Sequence, residues 1–409
     1  MFYLKEIRKS IFAKMDEDFS RRQPVYSLQQ LTGYFFKLGY SGFGGPVALI
    51  GYMHRDLVEK RKWISEEEYK EGLALAQLAP GPLAAQLGIY LGFVHYSILG
   101  ATLTGIAFIL PSFIMVVCLG IVYKLFGGLP WMQAVFYGVG AAVVGIIVLS
   151  SYKLTIKSVS KINLKAFRVN WLLWIIFLAA LLATVLTESE ELLLFIFAGL
   201  LYMAVKSPPR WMSASKSTLS LFLFMGIGFW EYEPGALNKL ALFFLKAGAF
   251  VFGSGLAIVP FLHSGVVNQY HWLTETQFVD AVAVAMITPG PVVITVGFIG
   301  YLVGGFPGAT VASVATFLPC YLFTVIPAPY FRRFAKNNAI KAFVDGITAA
   351  VVGALAGAVI VIASKSIRDV PTALIAISTL LGLVYIRKLK EPIIILIAAA
   401  IGILLKIIF

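Results

Sequence analysis

From about residue 28 onward the chain alternates long apolar runs with short polar joints. The runs lack the ten-residue alternation of lipid-facing β-strands, so helices are predicted rather than a barrel. Five of them, near 98–126, 131–152, 170–187, 189–205 and 217–230, read as full crossings of a bilayer whose hydrocarbon core is about 30 Å thick. Four others are interrupted: "SGFGGP" breaks 28–52, "APGP" breaks 72–97, and two further breaks fall in 237–262 and 276–306. Backbone groups in lipid need internal partners. The pattern therefore predicts an all-α polytopic membrane protein containing broken or re-entrant helix hairpins.

Composition agrees, with 59% hydrophobic and 13% charged residues among 409. The net charge of +13 would suit nucleic acid, but Lys153, Lys157, Lys161, Lys165 and Arg168 sit in joints between spans. The positive-inside rule accounts for them, so the expected partner is the lipid bilayer and not nucleic acid. Cys118 and Cys320 both fall within spans, and His54, His95, His263 and His271 have no metal-ligand spacing. No metal or other cofactor is expected. No P-loop and no paired intramembrane acids are present, which excludes direct ATP hydrolysis and argues against an enzyme. Gradient-driven transport remains. Residues 1–27 are too charged for a cleaved signal peptide and read as a cytoplasmic N-terminal tail.

Sliding the chain against itself at a shift of 209 aligns its halves. Lys37 falls on Lys246, Gly39 on Gly248, Gly44 on Gly253, His54 on His263, Trp63 on Trp272, Glu71 on Asp280, and Pro80, Gly81 and Pro82 on Pro289, Gly290 and Pro291. After a one-residue slip, "GATLTGIAFILPSF" from Gly100 meets "GATVASVATFLPCY" from Gly308. The segments are a tail at 1–27, a first repeat domain at 28–168, connecting transmembrane helices at 169–235, a second repeat domain at 236–370 and C-terminal transmembrane helices at 371–409. Basic residues mark opposite loops of the two halves: Arg55, Lys60, Arg61, Lys62 and Lys70 in the first, Arg332, Arg333, Lys336 and Lys341 in the second. With an odd number of crossings between them, this is the signature of an inverted-topology repeat.

A break in a span strands backbone groups unless protein or a water-filled cavity surrounds them, so four symmetric breaks are expected to converge. Each break begins a helix, whose free N–H groups and partial positive charge suit an anion. The cradles expected are 81–84 and 290–293, with 44–47 and 253–256. Lys37 and Lys246, seven residues before the glycine breaks, are read as costly buried cations and hence functional, against the plainer reading that they snorkel to the interface. Glu71 and Asp280 are candidates for coupling, or simply complement a helix N-terminus. Gln77 and Gln86 flank the first PGP, whereas Met286 and Thr295 stand in the second, so any ligand contact there is expected to be asymmetric. The glycine-rich span 131–152 leaves room for a homodimer.

"GYSGFGGP", "KWISEEEY", "LAQLAPGPLAAQLGIYLG", "FVFGSGLAIVP" and "WLTETQFVDAVAVAMITPGPV" together resemble the chromate ion transporter family in its two-domain, fused form. The resemblance implies an inner-membrane protein that exports chromate on the electrochemical gradient, with sulfate, a like-shaped dianion, as competitor or alternative substrate. An oxyanion importer and an anion channel remain as other readings. Carried onto the matched motifs, it implies substrate-binding roles for Lys37, Gly44, Gly45, Pro80, Gly81 and Pro82, and for Lys246, Gly253, Pro289, Gly290 and Pro291. Ser254 stands where the first copy has the second glycine of its pair, so the halves depart from equivalence there.

Overall fold

The computed structural model describes residues 25–43, 45–127, 129–159, 168–188, 192–208, 235–251, 255–331, 337–367, 369–386 and 391–408. Most of the tail, the span read at 217–230, Lys161, Lys165, and the basic residues Arg332, Arg333 and Lys336 lie outside them. The described residues form helices and no strand. The helices are α1 Leu28–Ser41, α2 Gly45–Met53, α3 Glu66–Leu78, α4 Leu83–Phe126, α5 Pro130–Ser158, α6 Trp171–Thr187 and α7 Leu192–Lys206, then α8 Ala236–Ala249, α9 Val259–His263, α10 Glu275–Ile287, α11 Thr295–Val325, α12 Asn338–Ser366, α13 Val370–Tyr385 and α14 Glu391–Ile408. Among the described residues, four stretches are long and apolar enough to cross a membrane by length and composition: Leu83–Phe126, Pro130–Ser158, Val292–Tyr330 and Asn338–Ser366.

The first two hairpins enter the protein and return to the face they came from. Tyr26, just before α1, stacks on Trp63, just after the π-helical turn that follows α2, with ring centroids 4.8 Å apart. The chain between them has therefore gone in and come back. Glu68, in the first turn of α3, lies 3.3 Å from His95, so α3 and the arm 83–95 also share one face. The chain then folds sharply at Tyr96 and Ser97, and 98–126 crosses to the opposite face. At the matched place α11 folds at Gly304 and Gly305, with nearly the same dihedrals: φ 50° and ψ −145° at Ser97, φ 62° and ψ −152° at Gly305. The arms touch across Gly92 and Gly100 in one copy and Gly300 and Gly308 in the other, where a Cβ would strike the facing backbone.

Local sequence sets the starts of these helices. Ser65 caps α3 by accepting from the Glu68 N–H at 3.2 Å while Glu68 accepts from the Ser65 N–H at 2.8 Å. Thr274 and Gln277 repeat this reciprocal cap at α10. Such caps stabilise a helix start by about 1 kcal/mol. The lock behind them repeats as well. Arg61 lies 4.5 Å over the Trp63 ring, and its counterpart Tyr270 stacks on Trp272 at the same 4.5 Å.

The seven-helix order of α1–α7 recurs in α8–α14, running in the opposite sense. Glu188 after α6, Lys365 at the end of α12 and Glu275 at the start of α10 meet on the face opposite Tyr26 and Trp63. The two copies interlock. Arm 98–126 runs antiparallel to the second arm of α11, with the Thr102 hydroxyl 2.8 Å from that of Tyr321 and Phe113 against Phe306, and it meets the first arm where Tyr123 lies against Phe298. Gly138 and Gly145 of α5 receive α14 and α13, while Gly346 and Gly353 of α12 receive α7 and α6. Each copy's last two helices thus pack on the other copy's long helix. This corrects one expectation: the glycine face of 131–152, read as room for a homodimer, is filled by the chain's own helices.

Candidate anion site at the crossed breaks

Both PGP triplets end a helix and begin another. α3 stops because Ala79 turns extended (φ −85°, ψ 141°), and α10 stops at Thr288 in the same way (φ −83°, ψ 137°). The glycines between the prolines take φ +147° at Gly81 and +95° at Gly290, values that side-chain-bearing residues rarely adopt. Pro82 then serves as N-cap of α4, its carbonyl accepting from the Gln86 N–H at 3.0 Å. The N–H groups of Leu83, Ala84 and Ala85 are left without an acceptor inside the helix. In the second copy a tighter turn, Val292–Ile294, precedes α11.

The four breaks converge, and they do so crosswise. The Gly81 N–H donates to the carbonyl of Val251 at 2.5 Å, and the Gly290 N–H donates to the carbonyl of Gly42 at 2.9 Å. Val251 and Gly42 occupy matched positions, each just before a glycine break. Each PGP of one copy is therefore tied to the glycine break of the other. Gly255 lies against Val292 and Val293, which joins the two pairs into one cluster. Gly44, Gly253 and Ser254 fall outside the described residues, and Gly45 opens α2 with φ +69°.

Two different side chains hold the matched proline carbonyls. Gln86 donates its amide Nε2 to Pro80 O at 2.9 Å from within its own copy. Ser112 donates its hydroxyl to Pro289 O at 2.8 Å from the opposite copy, and also lies 3.2 Å from Gly39 O. Gln86 is fully buried, and its Oε1 has no partner among the described residues. The counterpart of Gln86, Thr295, turns to Val292 O instead, so the two side chains are held differently within the chain. Ser112 was not singled out from sequence, although the aligned "LPSF" and "LPCY" segments held the signal.

Lys37 and Lys246 correct an expectation. Both lie on exposed stripes of α1 and α8, Lys37 beside exposed Phe36 and Tyr40, Lys246 beside exposed Leu242 and Leu245. The buried faces of α1 are instead Leu31, Tyr34, Phe35, Leu38 and Gly39. Neither lysine is a buried cation at the breaks.

The two acids differ in their settings. Glu71 is half-buried and accepts from the Tyr90 hydroxyl at 3.3 Å within its own copy. Asp280 is 3% exposed and accepts from the Tyr123 hydroxyl at 2.7 Å across the copies. At the mouths, His54 lies 2.9 Å from Glu66, and His263 lies 2.7 Å from Glu275. The His54 hydrogen bond, reinforced by Lys70, holds the exposed Glu66 carboxyl below its ordinary range. No group of metal-binding side chains occurs among the described residues.

Comparison with known proteins agrees with the doubled architecture. The family profile described as "Chromate transporter" matches two segments, 29–203 and 238–403, which coincide with α1–α7 and α8–α14. A "Chromate transport protein" of Cupriavidus metallidurans is 61% identical over 93% of each chain. A "Probable chromate transport protein" of Synechococcus elongatus is 58% identical, covering 93% of this chain and 96% of that one. A "Chromate transport protein" of Pseudomonas aeruginosa is 30% identical over 92% of each. No solved structure matches the chain.

Proposed function

Because this chain belongs to the chromate transporter family, we propose that it is a secondary transporter that carries chromate, a tetrahedral dianion, outward across the inner membrane. The observation that carries this reading is the crossed pairing of Gly81 with Val251 and Gly290 with Gly42. It favours one binding region between inverted repeats, where broken helices turn their starts toward an anion. Pro80, Gly81 and Pro82, with Pro289, Gly290 and Pro291, shape the region together with Gly45, and Gly44, Gly253 and Ser254 are proposed as binding residues on the sequence pattern alone. Lys37 and Lys246, on their exposed stripes, draw the anion in.

The first face is cytoplasmic in this reading. It carries Arg55, Lys60, Arg61 and Lys62, together with Lys153, Lys157 and Arg168 at the joint between α5 and α6. An inside-negative potential then favours export, by about 2.3 kcal/mol per charge per 100 mV. Asp280 and Glu71 are the candidates for coupling to a second ion, and alternating access exchanges the exposed side of the site.

Uptake of labelled chromate and sulfate by inside-out vesicles tests the proposal. Saturable chromate accumulation, inhibited by sulfate and accelerated by a lumen-positive potential, is expected. Accumulation confined to right-side-out vesicles would make the protein an importer. A linear, unsaturable current would make it a channel.

A further inference from the structure

Matched residues of an inverted repeat have matched surroundings only if both mouths are in the same state. Here they do not. Gln77 is exposed, whereas its counterpart Met286 is 8% exposed; Ala79 and Pro80 are half-buried, whereas Thr288 and Pro289 are buried. The His54 side chain is 31% exposed and that of His263 only 3%. The cause is packing. α10 lies on α5, α12 and α14, with Val279 against Gly140, and α9 lies on α12, whereas α3 packs chiefly on α4.

A chain of charges closes the packed mouth. Glu188 Oε2 lies 2.6 Å from Lys365 Nζ, which lies 2.9 Å from Glu275 Oε1; Glu275 Oε2 lies 2.7 Å from His263 Nε2. It links the end of α6, the end of α12, the start of α10 and the end of α9. The first copy has the corresponding His54 and Glu66, but Glu66 turns to Lys70 on its own helix, 3.2 Å away. No helix of the surrounding bundle supplies it with a cation among the described pairs.

We propose that Lys365 is the positioning residue that latches the α9–α10 hairpin shut, and that the structure is the state open at the α2–α3 hairpin. The other state is the reverse, with α3 docked and α10 released. Lys365 acts through Glu275, and Glu188 anchors it to helices that do not move. This rests on the transport reading for its purpose but not for its test, because gate position is read without substrate.

The test uses full-length protein in membranes, with Cys118 and Cys320 replaced by serine and a single reporter, either Gln77→Cys or Met286→Cys. A small hydrophilic thiol reagent is applied from each side. With Lys365 intact, the reporter at 77 is modified quickly and that at 286 slowly. Lys365→Met raises the rate at 286 about fivefold and lowers that at 77, as expected for loss of an ion-pair network worth roughly a factor of that size. Glu188→Gln does the same from the other end of the chain, and Lys365→Arg restores the original rates. In transport assays Lys365→Met changes the maximal rate with little change in KM. Unchanged rates at both reporters would overturn the proposal even if chromate transport were intact. A rise at both would also overturn it, since loosening is not exchange. The expected reversal of reporter rates in a protein that moved no oxyanion would leave the latch standing and remove the transport reading.

Discussion

The N–H of Gly290 donates to the carbonyl of Gly42, joining a break in the second copy to a break in the first. Gly290 has φ +95°, and a Cβ added there would strike Ser112. Gly290→Ala should therefore cost about 1–3 kcal/mol in backbone strain, with the clash in addition. Expected is a lowered Tm and loss of chromate transport, read by thermal unfolding in detergent and by vesicle uptake. Gly81→Ala, at φ +147° against Gln86, should behave alike.

The two proline carbonyls offer a paired comparison. Ser112→Ala removes the donor to Pro289 O, and Gln86→Ala removes the donor to Pro80 O. Leaving a buried carbonyl unpaired costs about 1–3 kcal/mol, so affinity or turnover should fall on the order of tenfold in each. Anion binding measured by calorimetry, with the uptake rate alongside, checks both. Ser112→Thr keeps the hydroxyl and should retain more activity than Ser112→Ala.

Asp280 and Tyr123 separate charge from shape. Asp280→Asn keeps an acceptor for the Tyr123 hydroxyl while removing the ionisable group. The expected protein folds and binds chromate, but its transport no longer responds to an imposed pH gradient. Tyr123→Phe removes the donor and leaves the acid without this partner, and should lower the Tm by about 1–3 °C for a loss of about 1–3 kcal/mol. Vesicle uptake with the pH gradient and the electrical potential imposed separately distinguishes the two roles.

Exposed lysines act at longer range. Lys37→Ala and Lys246→Ala should each weaken chromate and sulfate binding about fivefold, consistent with about 1 kcal/mol for unit charges about 4 Å apart in bulk water. The effect should shrink as ionic strength rises, because screening sets in within about 10 Å at 0.1 M salt. Binding isotherms at two salt concentrations check this.

The repeat and its breaks were readable because lysine, histidine, tryptophan and PGP matched in one register, a coincidence that apolar sequence does not produce. Contacts were not. A shift of 209 says that Gly81 and Gly290 are equivalent, but not that each bonds the other copy's glycine break. The depth of Lys37 was misread for a physical reason. Leu31, Tyr34, Phe35 and Leu38 mark the buried face at helical spacing, yet Phe36 and Tyr40 on the outer face are apolar too. In lipid the outer face is no longer polar, so the phase of a helix fades from the sequence. For the same reason α6 and α7 show little identity with α13 and α14, although the architecture repeats through them.

The crossed bonds also set the order in which the protein is made. The partner of the Gly81 N–H is the carbonyl of Val251, which is synthesised much later. At about 5–20 residues per second, the first break waits on the order of ten seconds for it. During that interval the nascent first half sits in the bilayer with an open backbone and no glycine break to receive it. A chain that stops before residue 235 leaves the Gly81 N–H without that carbonyl, and is expected to be less stable in the membrane than the full chain and to be cleared faster by membrane proteolysis.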